Sequence, residues 1–239
     1  LVIYVGAILA ALTAAGSWKG RGAVEIFGVD YFALLLLAVV GMDLLVIGSH
    51  LAVLFLGLEI LSLPLYAMAI GPAHSDESVE AGAKYFMNGA FASGILLFGI
   101  ALVYGATGSF SFEQIGVAIN RGSAHGLFVW VGGILIAIGF LFKIAAAPFH
   151  SWAPDVYAGA PTPAVAFFSA APKAAALGLL LRLTLTVFAD VPLESFLWGV
   201  AWLSMLVGNL LALRQRALQR LLAYSGNAHM GYALVGLAA

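Results

Sequence analysis

Long uncharged runs of apolar residues follow one another along most of the chain. A hydrocarbon layer of ~30 Å needs about 20 helical residues at a rise of ~1.5 Å per residue. The pattern predicts spans at residues 1–16, 31–48, 51–70, 84–105, 125–147, 163–188, 194–213 and 221–239. Because lipid cannot hydrogen-bond to exposed backbone groups, we expect all of them to be helical. The short alternating strands of a membrane barrel are not seen in the sequence.

Composition agrees with a protein that is almost entirely membrane. Of 239 residues, 63% are hydrophobic and 9% are charged, and the mean hydropathy is +1.07. A soluble domain carries about 25% charged residues, so none is predicted. The net charge of -1 excludes a basic surface for nucleic acid. The chain has no cysteine, which excludes disulfides and Cys-ligated clusters, and no metal or cofactor site is predicted.

The connections between spans differ in basic residues, which predicts an orientation. Connections on one side hold Lys19, Arg21, Arg214, Arg216 and Arg220, and those on the other hold only Arg121. The positive-inside rule places the first side in the cytoplasm. Residues 106–124 are predicted to contain a short interfacial helix. Both ends of the chain are expected to lie within a longer polypeptide, because the first span has no basic leader and the last is still apolar at Ala239.

Several ionisable residues lie inside the apolar spans, where a charge costs about 2.5–3.5 kcal/mol on insertion scales. Glu59, Lys143 and Lys173 lie deepest, and Lys84 opens a span. Structural ion pairs or side chains that reach the interface would explain others equally well. Asp43, Arg182 and His229 are therefore left without an assigned role.

Prolines accompany the deep charges. Pro64 and Pro148 each follow a charged residue by five positions, and Pro172 directly precedes Lys173. Proline has no N–H for the carbonyl four residues back, and such openings often mark ion sites in broken membrane helices. The spacing predicts hydrated helix breaks at these prolines. The segment 148–163 is predicted to resume as a short helix from Ser151 to Tyr157, with His150 just beyond the break.

Buried amines and a carboxylate can move protons. Desolvation disfavours the charged form of an amine, whereas a carboxylate within about 4–6 Å favours it. A change of about 3 pKa units corresponds to roughly 4 kcal/mol. Glu59 as modulator, Lys143 as carrier and Lys173 as the next relay are thus an adequate proton path. The residues alone indicate a cation-handling membrane protein, and a solute carrier of another class stays open.

Four strings make the sequence more specific: LGLEILSLP (56–64), KYFMNGAFASG (84–94), FKIAAAPFHSWAPDVYAGAPTPAVAFFSAAPKAA (142–175) and RLLAYSGNAHMGY (220–232). They resemble the antiporter-like membrane subunits of respiratory complex I, closest to the subunit N branch. Mrp-type Na+/H+ antiporters share the proline-interrupted lysine helix. Departures are His50, where relatives often carry an acid, and Gly226–Asn227, where Ser-Ile is usual.

The resemblance implies an all-α bundle of inverted five-helix repeats, present here as a fragment. Residues 1–30 would be a truncated first helix and loop, 31–188 the first repeat, and 189–239 the start of the second. It implies a proton relay of Glu59, Lys84, Lys143, Lys173 and His150. NADH, FMN, iron–sulfur clusters and quinone would be bound by partner subunits of the membrane-bound complex. An Mrp-type antiporter and a purely structural scaffold are the alternatives.

Overall fold

The computed structural model describes residues 1–17, 28–71, 75–122 and 124–238. Within these ranges the chain forms ten α-helices and one π-turn and has no β-strand. The helices are α1 (Val2–Ser17), α2 (Val29–Ile47), α3 (Leu51–Ile70), α4 (Asp76–Thr107), α5 (Phe112–Asn120), α6 (Gly126–Lys143), α7 (Trp152–Gly159), α8 (Thr162–Arg182), α9 (Glu194–Ala212) and α10 (Leu218–Ala238), and the π-turn Leu183–Val187 continues α8. The predicted all-helical fold is confirmed.

Six helices of the described chain are long and apolar enough to cross a membrane: α2, α3, α4, α6, α8 with its π-turn, and α9. The other two predicted spans are also helical. α1 is apolar but shorter, and α10 has the length but carries several polar residues. Lys19 and Arg21, on which the predicted orientation partly depends, lie outside the described residues. The division into repeats at residues 30 and 188 stays a prediction.

Helix α4 begins eight residues before the predicted span. The side chain of Ser75 caps it by accepting a hydrogen bond from the Ser78 N–H at 3.2 Å. Asp76 and Glu77 occupy the first turn, where acidic side chains stabilise the positive end of the helix dipole. Because the first turns of α4 carry these charges, hydropathy alone placed the start of the helix too late.

Small residues let the helices approach closely. Between α2 and α3, a β-carbon built on Gly41 would lie 2.7 Å from the Cα of Leu61 and 2.8 Å from the carbonyl oxygen of Gly57. Between α4 and α6, a β-carbon on Gly99 would lie 2.7 Å from the carbonyl oxygen of Gly132. Membrane helices associate through such contacts because lipid supplies little hydrophobic driving force.

We expect Gly41→Leu to destabilise the protein by about 1–3 kcal/mol, because backbone atoms of α3 occupy the space that the new side chain needs. Thermal unfolding of the detergent-solubilised protein measures the effect. Gly94→Leu is the matched control, since a β-carbon there would meet nothing within 4 Å. Equal stability of the two variants would contradict close α2–α3 packing.

The helix that carries Lys143 is interrupted. α6 ends at Lys143, Ala145 has a φ of 58°, and the chain becomes helical again at Trp152. The indole N–H of Trp152 donates to the Phe142 carbonyl at 3.0 Å, and the Ala147 N–H donates to Ser204 Oγ on α9 at 2.8 Å. The Ser204 side chain thus pairs a backbone N–H of the interruption, and Trp152 ties the new helix to the end of α6.

At Pro64 and Pro172 the structure differs from the predicted breaks, since both prolines lie inside continuous helices. Each removes one backbone donor from the helix. Unwinding a whole turn would leave several backbone groups unpaired in an apolar surrounding, which costs more than one missing bond.

Candidate functional site

Lys143, the last residue of α6, has its ammonium group enclosed by α3 and α4. The residue is 2% exposed. Its Nζ donates to Ser62 Oγ at 2.9 Å and lies 3.4 Å from the Tyr85 hydroxyl oxygen. The ring centroids of Tyr66 and Tyr85 lie 5.6 and 5.4 Å from Nζ. Hydroxyl oxygens and aromatic faces therefore stabilise the charged form without a direct carboxylate partner.

Glu59 lies on α3 three residues before Ser62, which places both side chains on neighbouring parts of one helix face. Its Oε1 accepts a hydrogen bond from Ser93 Oγ of α4 at 2.6 Å. Among the described residues, no ion pair within 4.0 Å joins Glu59 to Lys143. The carboxylate thus lies on the same helix as Ser62 and is bound by α4, but it forms no ion pair with the amine.

The short helix α7 links the interruption to this amine. The Trp152 ring stacks on Tyr85 with centroids 4.3 Å apart and planes 11° apart. Because Tyr85 also contacts Lys143, a movement of α7 would move the hydroxyl and ring beside the amine.

Lys173 is the second fully buried lysine of the described chain, also 2% exposed. It follows Pro172 on α8, and its Nζ lies 5.7 Å from the ring centroid of Tyr157 on α7. A cavity of about 730 Å³ adjoins it, with Ser225 and His229 of α10 among the lining residues. Nδ1 of His229 lies 2.8 Å from the carbonyl oxygen of Ser225. His229, left unassigned from sequence, therefore lines the same cavity as Lys173.

His150 occupies the interruption between the two lysines along the chain. Its ring lies 6.1 Å from that of Tyr224 on α10. The buried Nδ1 has no hydrogen-bond partner among the described residues. Burial lowers the pKa of His150.

Lys84, unlike the two buried lysines, is partly exposed and lies in a charged cluster that joins α4, α7 and α10. Its Nζ is 2.7 Å from Asp155 Oδ2 and 2.8 Å from Glu80 Oε1. Arg220 on α10 binds the other oxygen of Asp155 at 2.9 Å. The Lys84 side chain is 44% exposed, so solvent screens these pairs. Sequence analysis missed Asp155, although an aspartate inside a tryptophan- and tyrosine-containing segment was a signal.

Two other unassigned charges have local partners. Arg182 Nη1 donates to the carbonyl oxygens of Val46 and Gly48 at 2.9 and 2.7 Å, and its guanidinium lies 5.4 Å from the Phe112 ring centroid. It thereby caps the C-terminal end of α2. Asp43 accepts hydrogen bonds from the Tyr4 hydroxyl, with both oxygens at 3.0 Å.

Comparison with known proteins places this arrangement in a family. Residues 48–239 match the NADH:quinone oxidoreductase/Mrp antiporter transmembrane family. Over 212 residues the chain is 48% identical to NADH-quinone oxidoreductase subunit N of Trichlorobacter lovleyi. The matched region is 87% of this chain and 44% of that protein. The chain thus spans about half the length of the relatives that it matches.

Solved structures agree in fold. A chain of respiratory complex I from Thermus thermophilus with bound aureothin matches with a TM-score of 0.80 and 41% identity, over 99% of this chain and 51% of that one. A chain of the Mrp complex from Dietzia sp. DQ12-45-1b matches with a TM-score of 0.83 and 26% identity, over 99% of this chain and 44% of that one. The apolar helices and bacterial relatives indicate a multi-pass protein of the bacterial inner membrane. The chain belongs to the NADH:quinone oxidoreductase/Mrp antiporter transmembrane family.

Proposed function

We propose that the chain is part of a proton-translocating membrane-arm subunit of an NADH:quinone oxidoreductase. The observation that carries the proposal is the pair of fully buried lysines, Lys143 and Lys173, on helices that proline interrupts or weakens. Burying an unpaired ammonium group costs free energy that a structural role could avoid with an apolar residue. A proton relay requires groups of this kind.

In the proposed relay, a change in the position or charge of Glu59 alters the proton affinity of Lys143. The proton then passes through His150, at the helix interruption, to Lys173. Lys84 contributes a charge from the first third of α4, where its ion pairs with Asp155 and Glu80 keep it charged. The driving energy comes from other subunits of the complex, which hold the FMN and iron–sulfur clusters and react with NADH and quinone.

An Mrp-type Na+/H+ antiporter is the second candidate, because the Dietzia Mrp chain has the same fold. The higher identity to subunit N of Trichlorobacter lovleyi and to the Thermus complex I chain favours the first candidate. A structural scaffold is the third candidate, and the cost of its buried charges argues against it.

Purification of the complete tagged protein from its native membrane separates the first two candidates. Flavin and iron–sulfur subunits should co-purify with it, and vesicles containing the complex should take up protons when NADH is added. Co-purification with antiporter subunits alone, and Na+-dependent proton exchange without NADH, would support the Mrp alternative. Replacement of Glu59, Lys143 and Lys173 together by neutral residues tests the scaffold, which predicts unchanged proton uptake.

A further inference from the structure

Asn227 on α10 is a buried amide without a protein partner. It is 1% exposed, and neither Oδ1 nor Nδ2 forms a hydrogen bond with any described residue. A carboxamide offers two N–H donors and a carbonyl acceptor. Each polar group that is buried without a partner costs roughly 1–3 kcal/mol. An apolar residue would avoid that cost, so the presence of this amide needs a physical reason.

The direction of Asn227 follows from its two neighbours on α10. A β-carbon on Gly208 of α9 would lie 2.6 Å from the Ala228 backbone nitrogen, so Ala228 faces α9. A β-carbon on Gly226 would lie 3.1 Å from Lys173 Nζ, so Gly226 faces that amine. Successive helical residues are rotated by about 100°. Asn227 therefore faces the seam between α9 and Lys173.

The interrupted segment 144–151 contacts both α9 and α10. On one side the Ala147 N–H donates to Ser204 of α9. On the other side His150 lies against Tyr224, three residues before Asn227 on α10. The amide therefore faces the part of the chain that joins the Lys143 helix to α7.

Two further buried polar groups of the same elements lack a hydrogen-bond partner among the described residues. They are Nδ1 of His150, in the interruption, and the hydroxyl of Tyr157, whose ring lies beside Lys173. Together with Asn227, they make three unpartnered polar side chains on adjoining elements, and internal water binds to buried polar groups of this kind. Such a water typically makes about three hydrogen bonds to buried polar groups.

We propose that the Asn227 amide anchors internal water in the seam between the interrupted segment and Lys173, with His150 and Tyr157 as further hydrogen-bond partners. Asn227 is a positioning residue, because an amide holds water without exchanging its own charge state. Such water connects the helix interruption with the second buried lysine. That role in proton transfer rests on the proposed function, whereas the presence of water does not.

The test uses the complete protein in its assembled complex and has two independent readouts. High-resolution electron cryo-microscopy measures ordered water beside residue 227, and NADH-driven proton uptake measures transfer. We expect water density at the wild-type amide. In Asn227→Leu we expect no such density and proton uptake slowed about tenfold. Asn227→Ser, which keeps a polar group and leaves space for a second water, should restore at least half of the lost rate.

The matched control is Asn209→Leu on α9. That amide is exposed and already donates to the Met205 carbonyl at 2.8 Å, so its loss should leave proton uptake unchanged. Absence of water density at the wild-type amide would overturn the proposal, even where Asn227→Leu fails to assemble. Normal uptake together with higher thermal stability in Asn227→Leu would also overturn it. Water density together with normal pumping in Lys143→Ala would support the hydration site and contradict the proposed proton path.

Discussion

Lys143→Ala should reduce NADH-driven proton uptake by at least about tenfold in the assembled complex, while NADH oxidation with an artificial electron acceptor continues. The amine is the only charged group that contacts both Ser62 of α3 and Tyr85 of α4 in the described chain. Its removal leaves the α3 hydroxyl facing an apolar residue and removes a group that can accept and release a proton. General acid–base groups typically contribute about 10²–10⁴-fold to the rate of a step.

Lys143→Arg distinguishes a titrating group from a fixed positive charge. Guanidinium stays protonated at every physiological pH, whereas an amine can give up its proton. We expect Lys143→Arg to impair proton uptake nearly as much as Lys143→Ala. Full activity in the arginine variant would show that only the positive charge at this position matters.

Assembly must be compared before either result is interpreted. Phe142→Leu is a suitable control, since it alters the neighbouring buried residue of α6 without adding or removing a charge. Retained proton uptake in Lys143→Ala, at wild-type levels of assembled complex, would exclude this residue from the path.

The sequence alone was sufficient to predict the helices and the two deepest lysines. An apolar run of about 20 residues has few alternatives to a helix in lipid, and a lysine within it stands out. Lys143 and Lys173, selected on this basis, are both 2% exposed in the structure. The apolar residues around each lysine in the sequence were therefore enough to predict its burial.

The partners of these lysines could not be predicted in the same way. Ser62 and Tyr85 are ordinary helix residues in the sequence, and only the packing of α3 and α4 against α6 brings them to Lys143. Lys84 shows the opposite case. Only the family resemblance placed it in the relay with the buried lysines. In the structure α4 starts eight residues before Lys84, and its partly exposed side chain pairs with Asp155.

Substitution by arginine should therefore separate Lys173 from Lys84. In Lys173→Arg we expect proton uptake to fall by at least about tenfold, because the guanidinium cannot release a proton. In Lys84→Arg we expect at least half of wild-type uptake, since arginine can still pair with the carboxylates of Asp155 and Glu80. Both changes keep the charge and add similar bulk, so the pair controls for each effect.

The difference in proton uptake between Lys173→Arg and Lys84→Arg tests whether the buried lysine titrates during turnover and the exposed one does not. Proton uptake is normalised to assembled complex and to NADH oxidation with an artificial acceptor. Lys84→Met should be more harmful than Lys84→Arg, because it leaves Asp155 with Arg220 as its one remaining cationic partner among the described residues. Equal losses in Lys84→Arg and Lys173→Arg would mean that the exposed lysine also titrates during turnover, and the relay would then extend through Asp155 to the end of α4.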